Sequence, residues 1–531
     1  MNNPLPAELA EPHLLALLTT MGLDVEYVRA EKNHLYFLGE DGVEVPVLDM
    51  LGGYGSLIFG HNHPDIVAHA QHLLNSQVAV HAQFSRRTEA HRAAETLNKA
   101  IRRETGTEEP FYAVFGNSGA EAIEIAMKHA ELARRTKLDR LTAEIAEHTA
   151  TARAAVEDGA AALDARTDVR LTEYGVECAD PRSFPAVATA LAQANAAALE
   201  RPPLFLTLTR AFHGKLAGSV QLTHNPDFRL PFSAMAAQAR FVPFNEPDAL
   251  GKVIESERVP LFDLTLDNGT VHVVRRDLPV FAAFVVEPIQ GEGGVNPVTP
   301  EFAQAIQREC AAIDCPIVVD EIQSGMGRTG ALLASSLIGL RGDYYCLAKS
   351  LGGGLVKTSV TLFRESVYES AFELMHSSTF AKDAFSTSIA HQVVQMLEAD
   401  EGRAYRIAAE RGARLAATLD DVRREFPDVV KDVRGKGLFL GFEFHDQSAV
   451  VEEVLGAELP PGAFGYLISG YMLIQHQIRV APTASATQTL RLEPSIYLTD
   501  EEIDRFALAL RDVCAILHGR DEQAWRLLFG L

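Results

Sequence analysis

Six short apolar runs between about Leu204 and Phe363 constrain this chain more than any other feature: PLFLTLT, ARFVPF, VFAAFVVEP, CPIVVDE, YYCLAK and TSVTLF. Each is no longer than a strand. Each is apolar at consecutive positions, so it must be buried on both faces. Helical stretches separate the runs. One is explicit: Thr299 can cap, Pro300 suits a first turn, and Phe302, Ile306, Cys310 and Ile313 follow at helical spacing. Strands alternating with helices predict an α/β domain with a mostly parallel central sheet covered on both sides.

The rest of the chain reads differently. Residues 35–50 alternate apolar and polar around Gly39-Glu40-Asp41-Gly42, the pattern of a hairpin. Residues 133–203 are rich in Ala, Glu and Arg and poor in Gly and Pro, which predicts helix. LFDLTLDNGTVHVVRRDLP reads as a second hairpin around Asn268-Gly269. From about His376, charged helices and short strands such as GLFLGFEF indicate a smaller α+β domain. The expected division is an N-terminal segment (1–75) joining the small domain, a large domain (76–375) with a helical insertion at about 133–203, and a C-terminal small domain (376–531).

Composition excludes several classes of function. Lys and Arg number 48 against 71 Asp and Glu, a net charge of −23, which disfavours nucleic acid and anionic membrane as partners. No apolar run approaches a membrane span. The five cysteines form no Cys-x-x-Cys pair, and MNNPLPAELAEP has no basic region or apolar core. A reducing cytoplasm is therefore the expected location.

Three motifs are decoys. GMGRTG (325–330) matches a dinucleotide fingerprint, but five residues separate it from its strand and no helix opens on it. Lys349-Ser350 precedes its glycines, the reverse of a P-loop. His61 and His63 in GHNHP lack a third ligand at metal-site spacing, so no metal is expected.

Four stretches are ambiguous singly and coherent together. FGNSGAEAIEIAMKHA is a Gly/Ser turn opening a helix; its free amides suit a phosphate, although a plain cap by Ser118 explains it equally well. Asp320 ends a buried strand, where open α/β sheets place ligands. Lys349 also ends a buried strand; desolvation would make its amine nucleophilic, whereas an isolated lysine more often reaches to solvent. In AFHGKLAGS, Phe212 and His213 stand at a third strand end, where an aromatic face could cover a flat ring or merely fill the core. A phosphate site, a buried carboxylate, an amine nucleophile and a stacking aromatic are the requirements of pyridoxal phosphate: the lysine forms a Schiff base and the carboxylate keeps the pyridinium nitrogen protonated.

With these residues assembled, the chain resembles the class III (ornithine/omega-type) pyridoxal-phosphate aminotransferases. LDMLGGYGSLIFGHNHPDI, FGNSGAEAIEIAMKHA, FHG, VVEPIQGEGG, VVDEIQSGMGRTG, LAKSLGGG, HSSTF, VRGKGLFLGFEF and LRLEPSI follow the family order from about residue 33 to 515. The resemblance implies fold type I. It implies that Lys349 carries the cofactor and shuttles the proton, and that Asp320 pairs with the ring nitrogen. Gln323 would bond the ring hydroxyl, with Ile322 and Phe212 on the two ring faces and His213 beside them. Ser118, Gly119 and Ala120 would bind the phosphate. Thr379 would reach the phosphate from a partner subunit, making a homodimer the functional unit. Arg491 would hold a donor carboxylate, with Glu292 as its releasable counter-ion; an arginine fork binds carboxylate bidentately. Tyr54 and Phe84 are pocket candidates by position.

The implied reaction moves an amino group from a glutamate-like donor to an aldehyde or ketone, with an aminomutase, racemase or decarboxylating relative as the alternative. A silent binding subunit is disfavoured by the intact Lys349, Asp320 and Gln323. The chain departs from the family in four places. Ala381-Lys382-Asp383-Ala384 replaces Gly-Gly-Asn-Pro, Leu216 stands near a usual threonine, and LVKTS replaces a proline-containing turn. The fourth is the insertion at 133–203, expected to cover the active-site entrance or extend the dimer and to accompany a bulky biosynthetic acceptor.

Overall fold

The computed structural model describes residues 10–235, 238–456 and 459–530. Residues 1–9, most of the stretch read above for a leader, lie outside them. At the centre is a seven-stranded sheet in the order 111–116, 359–364, 344–347, 317–320, 281–286, 204–208 and 238–242. Strand Ser359–Arg364 runs antiparallel to both neighbours and the remaining strands are mutually parallel. All six apolar runs are strands of this sheet. The seventh, Phe111–Gly116, carries the same kind of apolar run, FYAVFG, but lies upstream of the span 204–363 in which strands alternate with helices.

The two faces explain the consecutive apolar pattern. Ile317, Val319, Tyr345 and Leu347 enter one core, and Val318, Tyr344 and Cys346 enter the other. Side chains alternate across a strand, so a sheet covered on both sides must be apolar at every position. The helix Pro300–Ala312 covers one face, with the Thr299 hydroxyl accepting the Phe302 amide at 3.2 Å. The helix Gly119–Glu157 covers the other.

The N-terminal hairpin, His34–Leu38 with Glu44–Asp49, pairs with Ile478–Arg479 of the C-terminal part. The small domain has its own core around a four-stranded sheet. The packing does not change at residues 75 and 376, however. Ile58, Phe59 and Ile66 already belong to the large core, and so do Ile389 to Ala408 of the long helix Ala384–Glu425. That helix breaks at Asp400, Glu401 and Gly402, which are left-handed, and from Leu415 it packs into the small core. A single helix belongs to both cores, so composition shows no boundary there.

The insertion is not a separate helical excursion. Its first half is the distal part of Gly119–Glu157, a single helix of 39 residues. Its second half, with the helix Phe184–Leu199, packs on the hairpin Pro260–Asp267/Thr270–Asp277. Ala152, Leu171, Phe184, Val187 and Leu191 share a core with Phe262, Leu264, Val271 and Val273. The two excess segments are thus one subdomain. At 1.5 Å per residue, Ala152 lies roughly 50 Å along the helix from Gly119. Within the chain the insertion therefore does not cover the sheet edge where the site is built, which removes the basis for inferring a bulky acceptor.

Candidate active site

The parallel strands end on one edge of the sheet, and the residues just beyond those ends enclose a cavity of about 220 Å³. Gly119, Ala120, Phe212, His213, Ile322, Gln323, Asp320 and Lys349 all line it. Eight sequence-predicted residues, drawn from four separate stretches, thus converge on one volume.

At one end of the cavity the long helix begins. The Ser118 hydroxyl accepts the Glu121 amide at 3.2 Å. Ser118 is therefore the plain cap, while the first two helical amides, at Gly119 and Ala120, have no intrahelical acceptor and border the cavity. A Cβ on Gly119 would stand 2.8 Å from Ile322 Cγ2. Only glycine lets the helix start approach that side chain.

Asp320 ends strand Ile317–Asp320 and is 5% exposed. Its Oδ1 accepts the Ile322 amide at 3.1 Å, and its Oδ2 lies 2.8 Å from His213 Nδ1. His213 Nε2 lies 3.1 Å from Thr207 Oγ1. Thr207, His213 and Asp320 form a buried relay that fixes the carboxylate's direction. His213 thus acts through Asp320. Beside it, Glu287 accepts the Phe212 and Gly291 amides at 2.9 and 3.1 Å. Burial pushes Glu287 up to about 7; the His213 charge opposes this and Asp320 adds to it. Sequence reading missed Glu287, although its signal is the one Asp320 gave: a carboxylate directly after an apolar strand.

Lys349 follows strand Tyr344–Leu347 and has φ of 48°, a left-handed conformation rare for a bulky residue. Burial lowers its amine to about 8, with Glu493, Glu292 and Asp320 opposing and Arg491 assisting. A useful fraction is therefore neutral near physiological pH. The glycines after it do not line the cavity. A Cβ on Gly354 would meet Leu57 at 2.3 Å, and one on Gly353 would meet Val393 at 2.9 Å. They let the chain turn tightly behind the lysine.

Arg491 is 1% exposed. Its NH1 donates to Glu292 Oε1 at 2.7 Å, and its guanidinium lies 4.7 Å from the centre of the Tyr54 ring. Glu292 Oε2 accepts the Ala484 amide at 2.8 Å. Burial raises the Glu292 carboxyl, but Arg491, the Ala484 amide and Lys349 together hold it below the usual range. Gln323 Nε2 donates to Glu493 Oε2 at 2.8 Å, a partner not foreseen from sequence.

Six predicted residues do not line the cavity: Ser118, which caps the helix, Tyr54, Glu292 and Arg491, which form the cluster just described, and Phe84 and Thr379. Phe84 occupies a fully exposed turn. Thr379 is also exposed, and its carbonyl accepts Gln83 Nε2 at 3.1 Å. Its neighbour Ser378 is the residue that meets the helix-start turn, 3.0 Å from Asn117 Nδ2.

The departures from the family pattern resolve locally. Asp383 caps the next helix by accepting the Ser386 amide at 2.8 Å, and aspartate caps as well as asparagine. Lys382 takes the left-handed conformation (φ 53°) at a place where glycine is usual. Leu216 is exposed, and the turn at Gly214 is held by Thr223, whose hydroxyl donates to the Gly214 carbonyl at 3.0 Å. Among the decoys, Arg328 of GMGRTG donates to the Leu438 and Pro494 carbonyls. His61 bonds Asp49 at 2.9 Å and His63 caps a helix.

The model of the family described as "Aminotransferase class-III" matches residues 20–513. A solved structure of ornithine aminotransferase from Toxoplasma gondii ME49 superposes with TM-score 0.63 at 21% identity, covering 93% of this chain and 91% of that one. A second, with partial occupancy of PLP at its active site, gives 0.63 at 20%, covering 94% and 91%. Ornithine delta-aminotransferase from Plasmodium falciparum gives 0.59 at 19%, covering 93% and 94%.

Proposed function

The chain belongs to the class III aminotransferase family, whose members use pyridoxal phosphate, and from that premise we propose that it transfers the amino group of a glutamate-like donor to an aldehyde or ketone through the cavity at the sheet edge. The observation that supports this most is the convergence of the Gly119 and Ala120 amides, Asp320, Gln323, Phe212, Ile322 and Lys349 on one cavity. That donor set fits the cofactor: amides at a helix start for its phosphate, a buried carboxylate for its ring nitrogen, apolar side chains for its ring and an amine for its carbonyl. Bound there, pyridoxal phosphate supplies an electron-withdrawing ring and a carbonyl carbon able to take up and release an amino group.

The chain's residues do the rest. Gly119 and Ala120 anchor the phosphate. Asp320, oriented by His213, holds the proton on the ring nitrogen. Gln323 bonds the ring hydroxyl, and Phe212 and Ile322 keep water from the ring. Lys349 holds the cofactor between turnovers. Its neutral amine would take up the proton from the donor's Cα and, in the second half-reaction, deliver one to the acceptor's carbon. Arg491 orients the donor carboxylate when Glu292 yields; with an acceptor lacking that group, Glu292 returns. This exchange of two unlike partners favours transamination over an aminomutase or racemase.

The unit is a homodimer. Leu374, Met375, Phe380 and Phe84 are exposed apolar residues around Thr379, more than a lone subunit would leave in water.

Incubating the enzyme with L-glutamate and no acceptor should release 2-oxoglutarate and change the absorbance of the bound cofactor. Lys349→Ala should be at least about 100-fold slower. If no amino-acid donor yields a keto acid, the reading is wrong.

A further inference from the structure

Glu493, wholly buried at the edge of this site, is left without a task by the reaction as described. It stands two residues beyond Arg491. It directly follows the strand Ala486–Leu492, and its carboxylate stands beside the guanidinium. Its Oε2 lies 3.4 Å from Arg491 Nε and accepts Gln323 Nε2 at 2.8 Å. Its Oε1 lies 4.0 Å from Nε of the fully buried Arg328. Glu493 Oε1, Arg491 Nε and Arg328 Nε have no hydrogen-bond partner among the described residues. Ion pairs that lack hydrogen bonds contribute charge and little else, and a buried charge is kept at a cost.

The backbone above is built around this residue. A Cβ on Gly52 would stand 2.0 Å from the Glu493 carbonyl oxygen, and one on Gly55 would stand 2.5 Å from Glu493 Oε1. The left-handed Gly52–Gly55 turn, which carries Tyr54 to Arg491, rests directly on Glu493.

We propose that Glu493 is a positioning residue, a fixed second counter-charge to Arg491 that remains when Glu292 is displaced and that also orients the Gln323 amide toward the cofactor. With Glu292 in place, Arg328 and Arg491 face two carboxylates and the cluster is neutral. When a donor carboxylate replaces Glu292, the cluster is neutral again. Without Glu493 it carries an extra positive charge in both states, next to Lys349. Glu493 also occupies the Nε side of Arg491, leaving the side now held by Glu292 for the substrate.

The inference rests on the proposed assignment of Lys349 and Arg491. Its test is a spectroscopic pH titration of the cofactor bound to the purified holoenzyme. Glu493→Gln keeps size and an acceptor for Gln323 but removes the charge. A lost negative charge disfavours the protonated lysine nitrogen, so the midpoint should fall by about one pH unit or more. The KM for glutamate should move less than about threefold, because Glu292 and the donor compete for the same side of Arg491. Glu493→Asp draws the charge back by one methylene and should lower the midpoint by less; it is the variant to read if the glutamine form does not retain cofactor. An unmoved midpoint in either variant overturns the proposal, since a purely packing role would leave it in place. A wild-type enzyme without a lysine-bound cofactor band, or a Lys349→Ala enzyme that keeps that band, would instead sink the site assignment itself.

Discussion

Gly119 has no room for a methyl group, and that single contact ties the helix start to the cavity. Alanine there must push Ile322 aside, toward the volume the cofactor needs. Gly119→Ala should cost about 1–3 kcal/mol of stability and weaken pyridoxal phosphate binding by about tenfold or more. Thermal melting and equilibrium dialysis of the apoenzyme read the two effects separately. An unchanged dissociation constant would mean that the cofactor does not approach this turn. The positive φ of Lys349 belongs to the same scale. A lysine held left-handed is a strained residue over-determined by its surroundings, here the buried strand before it and the close-packed glycines behind it. The identity of both residues was legible in the sequence. Their partners were not: Ile322 lies two hundred residues from Gly119, and nothing near residue 349 announces Glu493.

At the scale of elements, the long helix Gly119–Glu157 has two unrelated duties. Its first turn builds the site, and its far half carries the insertion. The helical composition of 133–203 was readable, because Ala, Glu and Arg favour helix wherever the chain goes. Its destination was not, because the surface that receives it is another excess segment some seventy residues further on. This mutual cover gives a prediction. Removing 136–198 alone exposes Phe262, Leu264, Val271 and Val273, and the protein should precipitate. Removing 260–277 as well should restore soluble enzyme with its cofactor absorbance. The second excision is short to bridge, since the Leu278 amide already bonds the Val259 carbonyl at 2.9 Å. If the single deletion is soluble and monodisperse by light scattering, the two segments do not stabilise each other.

At the scale of the whole molecule, the proposed homodimer has a sharp test in its shared sites. Lys349→Ala and Thr379→Ala subunits are each expected to be impaired. Mixed and refolded together, they form hybrids with one intact site, and activity should recover to about one quarter of wild type at equal proportions. No recovery, with hybrids confirmed by native mass spectrometry, would place Thr379 in its own subunit's site or in none. Among the described residues, no helix is long and apolar enough to cross a membrane. The amino-acid sequence by itself determined the parallel sheet, the strand ends and the kinds of side chain that stand there, because burial on two faces and helix starts leave local marks. The tertiary structure alone decided that Glu493 meets Arg491, Arg328 and Gln323, that His213 serves Asp320, and that the two excess segments cover each other. Those contacts join residues tens to hundreds of positions apart, and the energy of a buried charge or an apolar face depends on which neighbours surround it, a property of packing that no local pattern carries.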